Sequence, residues 1–350
     1  MRVAVTGATG NVGTSVIQAL AEDPDVESVV GIARRMPELA VPKVEWHLAD
    51  VAGSPLSSHL EGADAVIHLA WLIQPSRDEA ATHAVNVDGS RRVFEAAARA
   101  GVPRIVYASS VGAYSPGPKD RPVDESHPTG GIDTSFYSRH KAEVERILDD
   151  FENRHPDIGV VRLRPALIFK GDAASGIRRL FAGPFLPNAL LRRVLIPVVP
   201  ALPGLRFQAV HSLDVGEAYR LAAKGSATGP FNIAADPVLD PDELGRLLGA
   251  KPVPLPPRVV RLLTDVTWHA RLQPTPPGWL DMALNVPIMD TLRAREELGW
   301  TPQHSAGEAL MELLDGMREG RGIETPPLRP GGDGPFRIRE IASGVGGRSF

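Results

Sequence analysis

The sequence predicts an α/β fold: a doubly wound parallel sheet with a smaller C-terminal lobe. Two observations predict it. Short apolar runs alternate with helical stretches through the first half of the chain. Three glycines, Gly7, Gly10 and Gly13, stand directly after the first of those runs. Strands that alternate with helices are joined by crossovers, and crossovers put helices on both faces of a parallel sheet.

The elements follow in order. Val3–Val5 reads as a buried strand and VGTSVIQAL (12–20) as a helix. The glycines therefore sit where a strand hands over to a helix. There the first helical N–H groups are unpaired and the dipole is positive, which suits a phosphate. Positions without side chains let backbone approach a pyrophosphate. The spacing is Gly-x-x-Gly-x-x-Gly, not the usual Gly-x-Gly-x-x-Gly, and a plain turn would also use glycine. ESVVGIA (27–33), KVEWHLA (43–49), ADAVIHLA (63–70), PRIVYAS (103–109) and IGVVRLR (158–164) read as further buried strands. Residues 77–101 read as one helix, stopped by Gly101 with Pro103 beyond. After about residue 170, proline becomes frequent and strand runs become sparse. Residues 207–223 read as a strand leading into a helix and 229–235 as one more strand. Residues 240–250 and 290–300 read as helices, the second capped by Asp290. This divides the chain into a cofactor-binding domain over 1–165, completed by about 207–229, and a substrate lobe with C-terminal helices over 166–206 and 230–323. Residues 324–350, rich in glycine and proline, are expected to form a flexible tail.

Composition excludes several classes. Of 350 residues, 43% are hydrophobic and 23% charged, as in a soluble globular protein. The net charge is −4 with both signs intermixed, so nucleic acid is not an expected partner. The absence of cysteine removes disulfides and thiolate chemistry, agrees with a reducing compartment and fits a cytoplasmic location. The chain enters a strand and a glycine turn directly after Met1, so no signal peptide is expected. The apolar stretch 186–205 is broken by Arg192, Arg193 and prolines, which argues against a membrane span and leaves an interfacial or lid role open. No His, Asp or Glu cluster has metal-ligand spacing, so no metal is expected. The expected partners are a small-molecule substrate and a second copy of the chain.

The segment YSRHK carries the sharpest chemical signal. Tyr137 and Lys141, four residues apart on a helix, share one face, and this is the sole Tyr-x-x-x-Lys in a chain with four tyrosines. A free phenol titrates near pH ~10, and a neighbouring ammonium lowers that value. A phenol tuned in this way passes a proton to or from an alcohol or carbonyl. YASSVGAY (107–114) offers Ser109 and Ser110 at the C-terminal end of a strand, where ligands of open α/β sheets bind. Serines there also cap turns. His68 reads as cofactor lining or core, and His140 as a solvated surface residue.

In this order and spacing the chain resembles the extended short-chain dehydrogenase/reductases, in particular the NAD-dependent epimerase/dehydratase group with its Rossmann-type domain. The resemblance rests on TGATGNVG, HLAD before Val51, HLA (68–70), NVDGS (86–90), SSVGAY, DESHP (124–128), YSRHK, RLRPA (162–166), VHSLDVGEA (210–218) and AREELGWTP (294–302). It implies an enzyme that moves hydride between a nicotinamide and a carbon bearing oxygen. By position it implies Tyr137 as general acid/base and Lys141 as the group that lowers its pKa and holds the nicotinamide ribose. Ser110, better placed than Ser109, would orient the substrate. The NAD(P) site would comprise Gly7, Thr9, Gly10, Asn11, Val12, Gly13, Ala33, Arg34, Arg35, Asp50, Val51, Leu69, Ala70, Asn86, Ser109, Tyr137, Lys141 and Pro165. Two departures qualify it. Leu167 stands where members acting on nucleotide sugars carry an asparagine. After the second strand, where NAD-preferring members place an acid, stand Ala33, Arg34 and Arg35. Arginine suits a 2′-phosphate, so NADP is favoured over NAD. The competing readings are an NADPH-dependent ketone or aldehyde reductase of a non-nucleotide substrate and a non-catalytic cofactor sensor on the same fold. A sensor need not keep Ser110, Tyr137 and Lys141 together.

Overall fold

A computed structural model describes residues 1–181 and 197–330. Most of the apolar stretch 186–205 and the end of the expected tail lie outside the described residues.

Seven parallel strands form the main sheet, in the order Gly229–Ile233, Gly159–Pro165, Arg104–Ala108, Ala65–His68, Arg2–Thr6, Ser28–Ala33 and Val44–Leu48. Each apolar run of the first half becomes one of these strands. The inner strands are buried on both faces, which is why their sequences read as continuous apolar runs; the edge strand Val44–Leu48 has no buried residue and reads as a mixed run. On one face the helices Asn11–Glu22 and Ser212–Lys224 pack Val16, Ile17, Leu20, Val215, Ala218 and Tyr219 against the strands. The two helices approach so closely that a Cβ on Gly216 would stand 2.7 Å from the Ser15 carbonyl oxygen. On the other face Val93, Phe94, Val144, Leu148 and Phe151 form the second core layer. Strand order reverses between Arg2–Thr6 and Ala65–His68, and the crevice off the C-terminal ends at that point is where such sheets bind ligands.

The predicted helix over 77–101 is three segments: α-helix Glu79–His83, a wide π-turn Ala84–Asp88 and α-helix Gly89–Arg99. The wide turn lies where Asn86, fully buried, binds the backbone of Leu72 through both amide atoms. Gly89 beside it lets the helix close on Val51, whose side chain would meet a Cβ at 2.9 Å.

The smaller lobe starts directly after strand Gly159–Pro165. Leu167–Phe169 pairs in parallel with Phe207–His211, which pairs antiparallel with Ala235–Leu239. The strand at 207 therefore belongs to the lobe, whereas the helix and the strand at 229 that follow it complete the large sheet. Helix Ala306–Glu319 begins with a reciprocal capping box between Ser305 and Glu308. Trp300 of the Leu-Gly-Trp segment is fully buried and donates its indole N–H to the Asp214 carbonyl at 2.8 Å. Leu292–Glu297 is the helix expected near 290, with Thr291 at its N-cap and the Asp290 carboxylate accepting from the Leu292 N–H. No helix among the described residues is long and apolar enough to cross a membrane.

The expected tail needs correction at its start. Residues 324–330 are anchored at two points: Thr325 has no exposed surface and Leu328 is 4% exposed, while Glu324 and Pro330 face solvent. Their glycine- and proline-rich surroundings hid two good anchors, a threonine and a leucine that each find a partner in the folded body.

Candidate active site

The glycine loop lies between Arg2–Thr6 and Asn11–Glu22, and its three glycines are there for different reasons. Gly7 has φ +71, and a Cβ on it would stand 2.7 Å from the Ala70 N. A Cβ on Gly13 would stand 2.3 Å from the Gly7 carbonyl oxygen, so this glycine lets the helix close on the loop. Gly10 has no such demand: its nearest neighbour to a Cβ would be the Gly7 oxygen at 3.5 Å, an ordinary contact. It is the helix N-cap, with no side-chain cap and no acidic residue in the first turn. Next to it the side-chain oxygen of Asn11 is buried without a hydrogen-bond partner, while its amide donates to the Ile168 carbonyl. A positive, uncapped helix end with free space and an orphaned acceptor fits a dinucleotide pyrophosphate and its ribose hydroxyls. Gly10→Val is accordingly expected to lower cofactor affinity by at least about tenfold. The melting temperature without cofactor should change little. NADH fluorescence titration and a thermal melt of both proteins check this, and unchanged affinity removes Gly10 from the site.

At the outer edge, buried Ala33 ends its strand and Arg34 and Arg35 follow it, exposed. The Asp50 carboxylate accepts from the Ala52 N–H at 2.9 Å and is half-buried. Leu69 and Ala70 are half-buried with their backbone against Gly7. Thr9 and Pro165 are buried and Val12 is half-buried; Pro165 ends the strand Gly159–Pro165, four strands along the sheet from the one that Ala33 ends.

Three expected contacts move inward. Val51 joins the core under Gly89. Asn86 spends both amide atoms on Leu72 and so positions the stretch after His68 instead of facing a ligand. The Ser109 hydroxyl donates to the Glu145 carboxylate at 2.5 Å, turned away from the crevice. In each case an interior partner, invisible in the local sequence, takes the side chain.

Ser110 and Tyr137 come together. The Ser110 oxygen accepts from the Gly112 N–H at 3.0 Å and so caps the turn, and Gly112 abuts the Tyr137 ring, where a Cβ on it would stand 3.0 Å from a ring carbon. Tyr137 is on the first turn of helix Phe136–Arg154, whose N-cap is Ser135. Its ring lies between Trp279, 4.8 Å away by centroids, and Trp71, 5.8 Å away. Lys141 Nζ donates to the Ala108 carbonyl at 2.5 Å and stands 3.4 Å over the Trp71 ring. The expectation that Lys141 lowers the phenol pKa is not met in this arrangement. Nζ is 5.7 Å from the Tyr137 ring centre, and burial pushes the phenol up to about 12, with the Ser110 hydroxyl opposing. Burial also pushes Lys141 well below the lysine range, with Glu145 opposing.

The two histidines are core residues. His68 is held by Thr6 at 2.6 Å and Ser90 at 2.9 Å, and burial lowers it to about 3. His140, expected at the surface, is 2% exposed, and its burial beside His83 lowers it to about 4. Among the described residues no group of three His, Asp or Glu stands in position to hold a metal.

Sequence reasoning missed Trp71, Trp279 and Glu145. The tryptophans carry no motif. Glu145 had a signal: it continues the 137–141 face by one more turn, and Arg162 and Arg164 alternate inside a buried strand that needs a counter-charge.

An uncharacterized protein of Mycobacterium tuberculosis, Rv2047c, is 28% identical over 324 residues, and the match covers 91% of this chain. The chain spans only 30% of that relative's length. The L-arabinose 1-dehydrogenase (NAD(P)(+)) of Haloferax volcanii is 37% identical over 109 residues, 31% of this chain and 41% of its own. Among solved structures, MoeE5 in complex with UDP-glucuronic acid and NAD superposes with a TM-score of 0.65 at 21% identity, covering 91% of this chain and 99% of that one, a likeness of fold. The model of the NAD dependent epimerase/dehydratase family matches residues 3–234, from the first strand through the last strand of the large sheet, and the chain belongs to that family.

Proposed function

We propose that the protein is an NAD(P)-dependent oxidoreductase of the epimerase/dehydratase kind, moving hydride to or from a carbon bearing oxygen on a small molecule. The observation that carries this reading is the Ser110 turn set against the Tyr137 ring, beside Lys141 and off the strand ends that the uncapped glycine loop also borders. A bound nicotinamide supplies the hydride donor or acceptor. Asn11 and Val12 would hold its pyrophosphate with backbone N–H groups, the Gly10 N–H being spent on the Gly7 carbonyl, and Ala33 to Arg35 and Asp50 would flank the adenosine. Tyr137, protonated at neutral pH because burial holds its pKa near 12, gives its proton to a substrate carbonyl oxygen. Ser110 donates to the same oxygen and fixes its position. Trp71 and Trp279 keep water from the phenol.

The second reading, a reductase of a non-nucleotide ketone or aldehyde, is favoured by Leu167, 39% exposed where an asparagine would hold a sugar nucleotide, and by the Trp279 and Met282 wall beside Tyr137. Extraction of the purified protein separates the two. Retained NAD supports the epimerase or dehydratase, and an empty site with NADPH-dependent turnover of ketones supports the reductase. Binding without turnover on any carbonyl or alcohol leaves a sensor, and no binding of either nucleotide removes the reading.

Cofactor choice rests on Arg34 and Arg35, exposed at the end of the second strand with no acid beside Ala33. A guanidinium pairs with a 2′-phosphate where a carboxylate would repel it. Arg34→Ala is expected to weaken NADPH binding by roughly 5- to 150-fold, the range set by about 1–3 kcal/mol at a screened protein edge. NADH binding should be nearly unchanged. Titration of both cofactors decides it, and a wild type that prefers NADH makes these arginines ordinary surface charges.

A further inference from the structure

The segment 324–330 returns from the far end of the chain to the glycine loop. Thr325, fully buried, donates its hydroxyl to the Thr9 carbonyl at 2.9 Å. Three residues on, Leu328 packs so closely on Gly176 that a Cβ there would come within 2.8 Å of its side chain. Arg179, from the same lobe helix Ala174–Phe181, donates to the carbonyls of Pro327 at 2.8 Å and Arg329 at 2.9 Å. The Arg329 guanidinium pairs with Glu324 at 2.9 Å and with Glu38 at 3.0 Å. Glu38 lies five residues past the end of the second strand, beside the Ala33–Arg35 edge. One short segment is thus tied to the glycine loop at Thr9, to the adenosine-side edge at Glu38 and to the substrate lobe between them.

We propose that residues 324–330 are a clasp on the cofactor site that retains the bound nucleotide, resting on the reading of the glycine loop as its cradle. Ordering seven residues of a proline-rich end has an entropy cost, and these contacts offset it only by fixing the segment across the loop. A nucleotide cradled by a loop that is braced from outside leaves through local opening, and that opening must break the Thr325 bond or the Arg329 pair. Retention suits an enzyme that restores its cofactor within each turnover. The clasp also couples the two lobes, because Arg179 and Gly176 hold it from the substrate side.

The test uses the full chain loaded with NADH, or with NADPH if that is the nucleotide it binds, and chased with excess ADP-ribose in a stopped-flow fluorimeter. Thr325→Val keeps the side-chain shape and removes the donor; Arg329→Ala, at a side chain 40% exposed, cuts the outer tie without touching the core. The double variant is expected to release nucleotide at least about fivefold faster, with the association rate nearly unchanged. If the double variant melts well below the wild type without cofactor, Arg329→Ala alone decides, with release at least about twofold faster expected. Release at the wild-type rate overturns the clasp. A wild type that binds neither NADH nor NADPH overturns the cradle reading and the clasp with it.

Discussion

Replacing Tyr137 with phenylalanine is expected to lower turnover by roughly 10²–10⁴-fold, the usual contribution of a positioned general acid or base. Fold and cofactor affinity should hold. The ring keeps its contacts with Trp71 and Trp279, so packing changes little. What goes is one hydroxyl, and with it the proton. The direction of the reaction then sets the pH dependence. Burial holds the phenol near 12, so below that value the proton needed to reduce a carbonyl is in place and the reductive rate should be flat through neutral pH. Oxidation needs the phenolate, so its rate should rise with pH until the phenol titrates. Steady-state rates in both directions, for wild type and variant, test both statements. Near-normal turnover in Tyr137→Phe removes Tyr137 from the chemistry, and a reductive rate that falls steeply between pH 6 and 8 places the proton on another group.

Much of this arrangement could be read before the structure because it is local. A strand, a glycine turn and a helix specify the loop within a dozen residues, and helical spacing alone puts Tyr137 and Lys141 on one face. What stayed hidden depends on residues far apart in the chain. Spacing puts Ser109 and Ser110 at the same strand end and only the resemblance favours Ser110; the structure gives Ser109 to Glu145 and sets the Ser110 turn against the Tyr137 ring. Asn86 reads as a ligand contact until Leu72, fourteen residues before it, is seen to use both its amide atoms. His140 reads as solvated between Arg139 and Lys141, yet the helix turns it inward between Phe136 and His83. Thr325 offers no pattern at all, since its partner Thr9 lies at the other end of the chain.

The buried charge behind the site carries the largest expected effect on stability. Glu145 is 1% exposed, and its two oxygens accept from Arg164 Nε at 2.9 Å, Arg164 Nη2 at 3.1 Å, Arg162 Nη1 at 3.1 Å and Ser109 Oγ at 2.5 Å. Burial alone would raise its pKa, but the Arg164 hydrogen bond and charge, with Arg162 and Ser109, bring it below the ordinary carboxylate value. Arg162 keeps Asp149 and Glu152 if Glu145 goes; among the described residues Arg164 keeps the hydrogen bonds to the Tyr114 hydroxyl and the Glu125 carbonyl, and the charge of the Glu125 carboxylate at longer range. Glu145→Gln therefore leaves a buried guanidinium without its hydrogen-bonded counter-charge, which costs about 3–5 kcal/mol. The carboxylate's folded pKa is depressed, so its contribution is present above the unfolded value and is lost as pH falls through the folded one. The stability gap between wild type and Glu145→Gln should therefore be full at pH 7 and should narrow as pH drops below the ordinary glutamate value of about 4.3. Urea unfolding of both proteins across that range measures the gap. Equal midpoints at pH 7 would mean that Arg164 is satisfied by its neutral partners alone, and a gap that does not change with pH would assign the loss to the geometry of the amide and not to charge.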